Sequence, residues 1–303
     1  MNLHRLIYFC ALGLWLAPVA AEEWADPSYQ QAIADWRASR LAALKGPDGY
    51  LNLVGLYWLQ PGVSTFGAAP DNDLVFTSSK TAHLGYFELD SSGVTMHLQE
   101  GAEVRVDGEQ VRSIVLPDDT TGEYVTATHN SLAWSVVKRE GRYAVRLRDY
   151  LNPALDALAS IPSYEVSSDW VVKAKFRAYP EPRIARVGTV IEGLGWNPVS
   201  PGIVEFEVRG QVHSLEAYDS GTSLFFVFGD RTSGRETYPA GRFLYAELPD
   251  PDSSTTLDFN KAYNPPCAFN DFSTCPVASP RNRLAIEVTA GEKFDDELHL
   301  ATK

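Results

Sequence analysis

LAWSVVKREGRYAVRLRDY, residues 132–150, reads as two alternating runs joined at Glu140-Gly141. In the second run Tyr143, Val145 and Leu147 alternate with charged or small neighbours, a period of two that places the two sets on opposite sides of a strand. The Glu140-Gly141 pair supplies the positive backbone angles of a tight hairpin turn. The stretch therefore predicts an antiparallel pair with one face buried and one wet. EVRVDGEQVRSIVL, residues 103–116, repeats the arrangement around Asp107-Gly108.

Further runs rich in Val, Phe, Tyr and Leu follow: WVVKAKF (170–176), GIVEFEV (202–208), QVHSLEAY (211–218), SLFFVFGD (223–230) and GRFLYAEL (241–248). The unbroken apolar stretch Leu224 to Phe228 predicts a strand buried on both faces. One segment has helical rhythm. Asp26-Pro27 opens it, Tyr29, Ile33, Trp36, Leu41 and Leu44 recur along it, and Gly46-Pro47 stops it. The expected fold is mainly β, with two packed antiparallel β units, sandwich or barrel-like, behind one N-terminal amphipathic helix. Residues 22–48 hold the helix, 49–150 the first β unit, 151–168 a connecting segment with Pro153 and Pro162, and 169–303 the second β unit. The charged tail from Gly291 is expected at the periphery.

Residues 1–21 read as a secretory signal: His4 and Arg5, an apolar run from Leu6 to Leu16, then Val19, Ala20 and Ala21 before a mature start at Glu22. The run is shorter than the roughly 20 apolar residues of a membrane span. Cleavage leaves about 280 residues, enough for one large or two modest domains. The expected location is periplasmic or extracellular, with no membrane span after cleavage. The formal charge of −13 argues against nucleic acid as a partner, because an acidic surface repels phosphate.

Beyond the signal only Cys267 and Cys275 remain. In an oxidising compartment so close a pair most simply forms a local disulfide. Zinc is the alternative, but the usual ligand spacings are absent and no histidine lies beside the pair. No G-x-S-x-G elbow, metalloprotease helix or P-loop is present, and His83, His97, His129 and His213 are scattered. No metal or cofactor is expected.

Polar side chains are densest between Asp230 and Asn264, where the flanking strands are apolar. Two arrangements satisfy them. In the first, Arg242 pairs with Asp230 or Asp258 while Asn260 and Asn264 bond to the backbone of an irregular loop, a purely structural cluster. In the second, the disulfide-pinned loop roofs a pocket. Arg242 or Arg235 then binds an anionic group through its fork of donors, and Asp230, Asn260, Tyr263 and Asn264 complete the hydrogen bonds.

Three stretches, residues 48–76, 224–250 and 257–284, together resemble the bacterial and archaeal family catalogued as domain of unknown function 1684. That resemblance brings no substrate, cofactor or catalytic residue with it. STFGAAPDNDLVF, residues 64–76, is similar to the opening of forkhead-associated domains, which implies a β-sandwich. Gly67-Ala68 stands where those domains carry the arginine that binds phosphothreonine. The sequence reading favours a non-catalytic exported protein that binds a small molecule or a protein partner; the alternative is an extracytoplasmic hydrolase acting on a small or carbohydrate-like substrate.

Overall fold

A computed structural model describes residues 27–294 of the chain. The expected signal at residues 1–21 lies outside the described residues. The first element is helix α1, Pro27–Lys45, which buries Ile33 and Leu44. It starts at proline because the missing N–H is not needed in a first turn.

Eleven strands form the first β unit. They are β1 (Leu53–Trp58), β2 (Gly62–Gly67), β3 (Leu74–Val75), β4 (Gly85–Asp90), β5 (Gly93–Leu98), β6 (Arg105–Val106), β7 (Glu109–Gln110), β8 (Ser113–Leu116), β9 (Ala127–His129), β10 (Leu132–Arg139) and β11 (Arg142–Asp149). One sheet has the order β1-β11-β10-β9-β6-β7 and the other β3-β2-β4-β5-β8. They share a core of Phe66, Phe76, Phe87, Trp134, Val136, Val145 and Leu147. Within it Phe66 stacks on Phe87 at 4.4 Å between ring centres and meets Trp134 edge-on at 5.7 Å.

Both turns read from sequence are present, with Asp107 at φ 51°, Gly108 at 83°, Glu140 at 48° and Gly141 at 79°. The expected wet face of the β10–β11 pair needs correction. Besides the core-facing set, Ala133, Ser135 and Val137 of β10 are also buried. Arg146 on this same second face lines a cleft together with Phe243 and Pro266 of the second unit, so that face is covered by protein.

After a short helix α2 (Ala154–Ala157), the second unit is built from β12 (Val171–Ile184), a ribbon of β13 (Val187–Gly188) and β14 (Gly195–Trp196), then β15 (Val199–Val208), β16 (Gln211–Asp219), β17 (Ser223–Phe228), β18 (Arg242–Glu247) and β19 (Ser254–Asp258). The main sheet runs β18-β17-β16-β15-β12-β19, every pair antiparallel. Its edges β18 and β19 lie beside each other, so the sheet is a nearly closed barrel. Strand β17 is buried on both faces as expected. Leu224, Phe226 and Phe228 point to the barrel interior with Trp170, Phe206 and Phe259. Phe225 and Val227 point outward to Phe243, Tyr218 and the disulfide.

The described start of the tail expected at the periphery does not lie there. Val288, Ala290, Gly291 and Glu292 are buried, because this segment supplies backbone carbonyls to a buried arginine described below. Gly291 has φ +77°, and a Cβ there would stand 2.3 Å from the carbonyl oxygen of Ala262, so glycine is what allows the segment to pass. No helix of the described residues is long and apolar enough to cross a membrane.

Candidate functional site

Arg242 opens β18 facing inward and is 1% exposed. A guanidinium in that position must have all its donors occupied. Its Nη2 donates to Asp230 Oδ2 at 2.7 Å and to Val288 O at 2.9 Å, and its Nη1 donates to Ala290 O and to Glu292 O. Asp230 spends its other oxygen on the Thr232 N–H at 2.6 Å and on the Thr232 hydroxyl, and that hydroxyl also meets Thr237 at 2.8 Å. The pair is sealed on every side, and nothing in it is left over for a ligand.

The remaining residues singled out from sequence occupy three different settings. Asn260, fully buried, takes the Ser167 N–H on Oδ1 at 3.0 Å and returns Nδ2 to Ser167 O at 2.9 Å, clipping the connecting segment to the barrel. Arg235 is exposed and pairs with Glu287. Asn264 and Tyr263 meet a part of the molecule that the sequence reading left out, the inner face of α1. The Asn264 N–H donates to Glu292 Oε2 at 2.7 Å, its Nδ2 to Lys293 O at 2.8 Å, and its own carbonyl accepts Arg40 Nη2 at 2.8 Å.

Arg40 also ion-pairs with Glu292 at 3.3 Å and lies 4.6 Å from the Tyr263 ring centre. Burial pushes the Glu292 carboxyl above its ordinary range, while Arg40 and the Asn264 N–H pull it partway back. Burial, and after it the neighbouring Tyr245, likewise raises the Tyr263 hydroxyl. This cluster docks the helix on the barrel. It could not be found from spacing, because Arg40 and Glu292 stand at opposite ends of the chain.

The Cys267–Cys275 disulfide closes the loop that follows. Asn270 ties the loop to the first unit through a 3.1 Å bond from Nδ2 to Tyr50 O. Between the loop and the β10–β11 face is a cleft of about 180 Å³, lined by Tyr50, Arg139, Arg146, Phe243, Pro266 and residues 273–276. A second cleft, of about 400 Å³, lies along the other side of the loop and shares Ser273 with the first.

The two arginines of the smaller cleft differ in a way that matters. Arg139 is held by Asp119 in a two-pronged pair, with contacts at 2.9 and 2.8 Å. Asp119 is desolvated, yet hydrogen bonds from Arg139 and from the Lys138 N–H hold its carboxyl below the usual range. Arg146, directly across from Ser135 in the β10–β11 ladder, makes no ion pair or hydrogen bond among the described residues. Its Nε is shut away from solvent without a partner. Burial, with the like charge of Arg139 next, weakens its hold on its proton; the guanidinium nonetheless stays charged at any ordinary pH.

A barrel joined to a sandwich, with a cleft at the joint, defines a two-unit mainly β protein, and joints of this kind are a common place for small-molecule clefts. Residues 156–293 match the family described as "Protein of unknown function (DUF1684)", and the chain carries that domain over this span. The matched span begins within α2 and takes in the whole barrel but not residues 48–76, so the likeness read there lies outside it. An uncharacterized protein of Haloarcula marismortui, solved by NMR, is 28% identical, with 46% of this chain and 79% of that chain covered at a TM-score of 0.40. Among curated proteins none matches.

Proposed function

We propose that the chain is an exported binding protein that takes a small carboxylate, aromatic or aliphatic in its body, into the cleft between its two units. The observation that carries this reading is Arg146, a half-buried guanidinium with no ion pair or hydrogen bond among the described residues and with its Nε shut from solvent, in a cleft walled by Tyr50 and Phe243. Desolvating a charge without a partner is costly, and an arginine fork matches a carboxylate in two-pronged geometry. Thr274 adds a hydroxyl at the cleft wall, while the Ser273 hydroxyl is spent on Asn270 Oδ1, and the rings and prolines supply apolar contact. The hydrolase alternative draws less support: of the two acids it could use, Asp230 is consumed by Arg242 and Thr232, and Glu236 accepts the Tyr164 hydroxyl at 3.1 Å and pairs with Lys293 at 3.7 Å.

The test is thermal unfolding of the chain from Glu22 onward against a panel of benzoate, phenylacetate, short-chain fatty acids and dicarboxylates, with Arg146→Gln alongside. A ligand at 100 times its Kd adds about 2.7 kcal/mol of stability, so stabilisation in the wild type that disappears in a folded Arg146→Gln is the expected result. Equal stabilisation of both proteins, or none of the wild type by any carboxylate, would overturn the reading.

A further inference from the structure

A third concave site lies on the barrel, and it is built for a different ligand. The end of β12, the turn after it, the middle of β16 and the chain at residues 279–281 converge on a cleft of about 340 Å³. Three arginines, Arg183, Arg186 and Arg281, line it against a single carboxylate, Glu216. Arg183 neutralises that carboxylate outright. Its Nε and Nη2 reach Glu216 Oε1 at 3.1 and 2.7 Å, and its Nη2 also donates to the Tyr179 hydroxyl at 2.7 Å.

Arg186 and Arg281 are exposed and make no ion pair or hydrogen bond among the described residues. The cleft wall also holds Tyr218, 0% exposed, and Ser279; their hydroxyls are shut from solvent and meet each other, which leaves one O–H of the pair without an acceptor. A buried hydroxyl is seldom left without a partner in a folded protein. That spare O–H beside two uncompensated guanidiniums, in a chain of net charge −13, makes a concentrated patch of donors. The one carboxylate of the cleft, Glu216, is ion-paired with Arg183 through Oε1, which leaves the arginines in excess.

We propose that this cleft is an oxyanion site for a phosphoryl or sulfuryl group, with Arg186 and Arg281 supplying charge and the Tyr218–Ser279 hydroxyl pair donating its spare O–H. A tetrahedral oxyanion offers acceptors in several directions at once, which suits donors drawn from strand, turn and loop. A flat carboxylate offers two acceptor oxygens and leaves part of the set unused. The site is independent of the carboxylate cleft: it shares none of that cleft's lining residues.

The experiment is calorimetric titration of the chain from Glu22 onward with inorganic phosphate, sulfate, a phosphate monoester such as glycerol phosphate, and acetate, at fixed ionic strength. The proteins are wild type, the double variant Arg186→Gln/Arg281→Gln, Tyr218→Phe, and Arg146→Gln as a control at the other cleft. The expected result is one saturable site for phosphate or sulfate that acetate does not compete for; any heat from acetate belongs to the other cleft and is lost in Arg146→Gln but kept in the double variant. Affinity falls at least tenfold in the double variant, several-fold in Tyr218→Phe, and not at all in Arg146→Gln. The arms for inorganic and esterified phosphate distinguish the free ion from a phosphorylated metabolite. No saturable binding of any oxyanion, or the same affinity in the double variant with its circular dichroism unchanged, would overturn the proposal. Both glutamines replace exposed side chains, so folding of that variant is expected to be intact.

Discussion

Arg242 illustrates what a sequence can and cannot say about a single residue. Its apolar neighbours in GRFLYAEL predicted that it would be buried or nearly so, and Asp230 was one of two acids named as its partner. The other three acceptors could not be named, since they are backbone carbonyls from residues 288, 290 and 292. A carbonyl has no side-chain signature, and contacts across almost 50 residues leave no local spacing. The consequence is energetic. Truncating one partner of a buried ion pair strands the other charge and costs about 3–5 kcal/mol. Arg242→Ala is therefore expected to lower the denaturant midpoint by that equivalent, with Asp230 and three carbonyls left unpaired. An unchanged midpoint would mean that Asp230 is neutral or hydrated in the folded chain.

At the scale of elements, hairpins and the buried strand β17 were legible because their signals are local: a turn pair, a period of two, an apolar run. The docking of α1 was half legible. Its apolar stripe implied packing, but the clamp of Arg40 on Glu292 and Tyr263 depends on the chain end reaching the barrel, and a charged tail reads as surface. That clamp gives the protein a pH dependence with a definite sign. Burial raises Glu292 in the folded state, so between the ordinary glutamate value of about 4.3 and the raised one, the folded chain holds a proton that the unfolded chain has released. Stability then falls as pH rises through that window. Glu292→Gln, which keeps the shape without the titration, is expected to flatten the curve of unfolding free energy against pH just above pH 4.3. Parallel curves for the two proteins would show that Glu292 does not carry the slope.

On the scale of the whole molecule, the sequence indicated two β units but not the face on which they meet. The alternation of Ala144, Arg146 and Arg148 against Tyr143, Val145 and Leu147 is the signature of a wet face, and covering by a second unit leaves that pattern unchanged. An arginine placed there for solvent and an arginine placed there for a ligand look the same until the disulfide loop is seen across from it. The energetic difference between them is testable. If Arg146 were structural, replacing it would destabilise the protein, as for Arg242. If it is held unpaired for a ligand, the empty protein bears its desolvation cost, and sites of this kind are where function opposes stability. Arg146→Met retains the apolar stem and discards the charge, so it is expected to unfold at the same temperature as the ligand-free wild type or higher, while losing all response to carboxylates. A variant that melts well below the wild type would instead place Arg146 among the groups that hold the two units together, and the cleft would lose its claim to be a binding site.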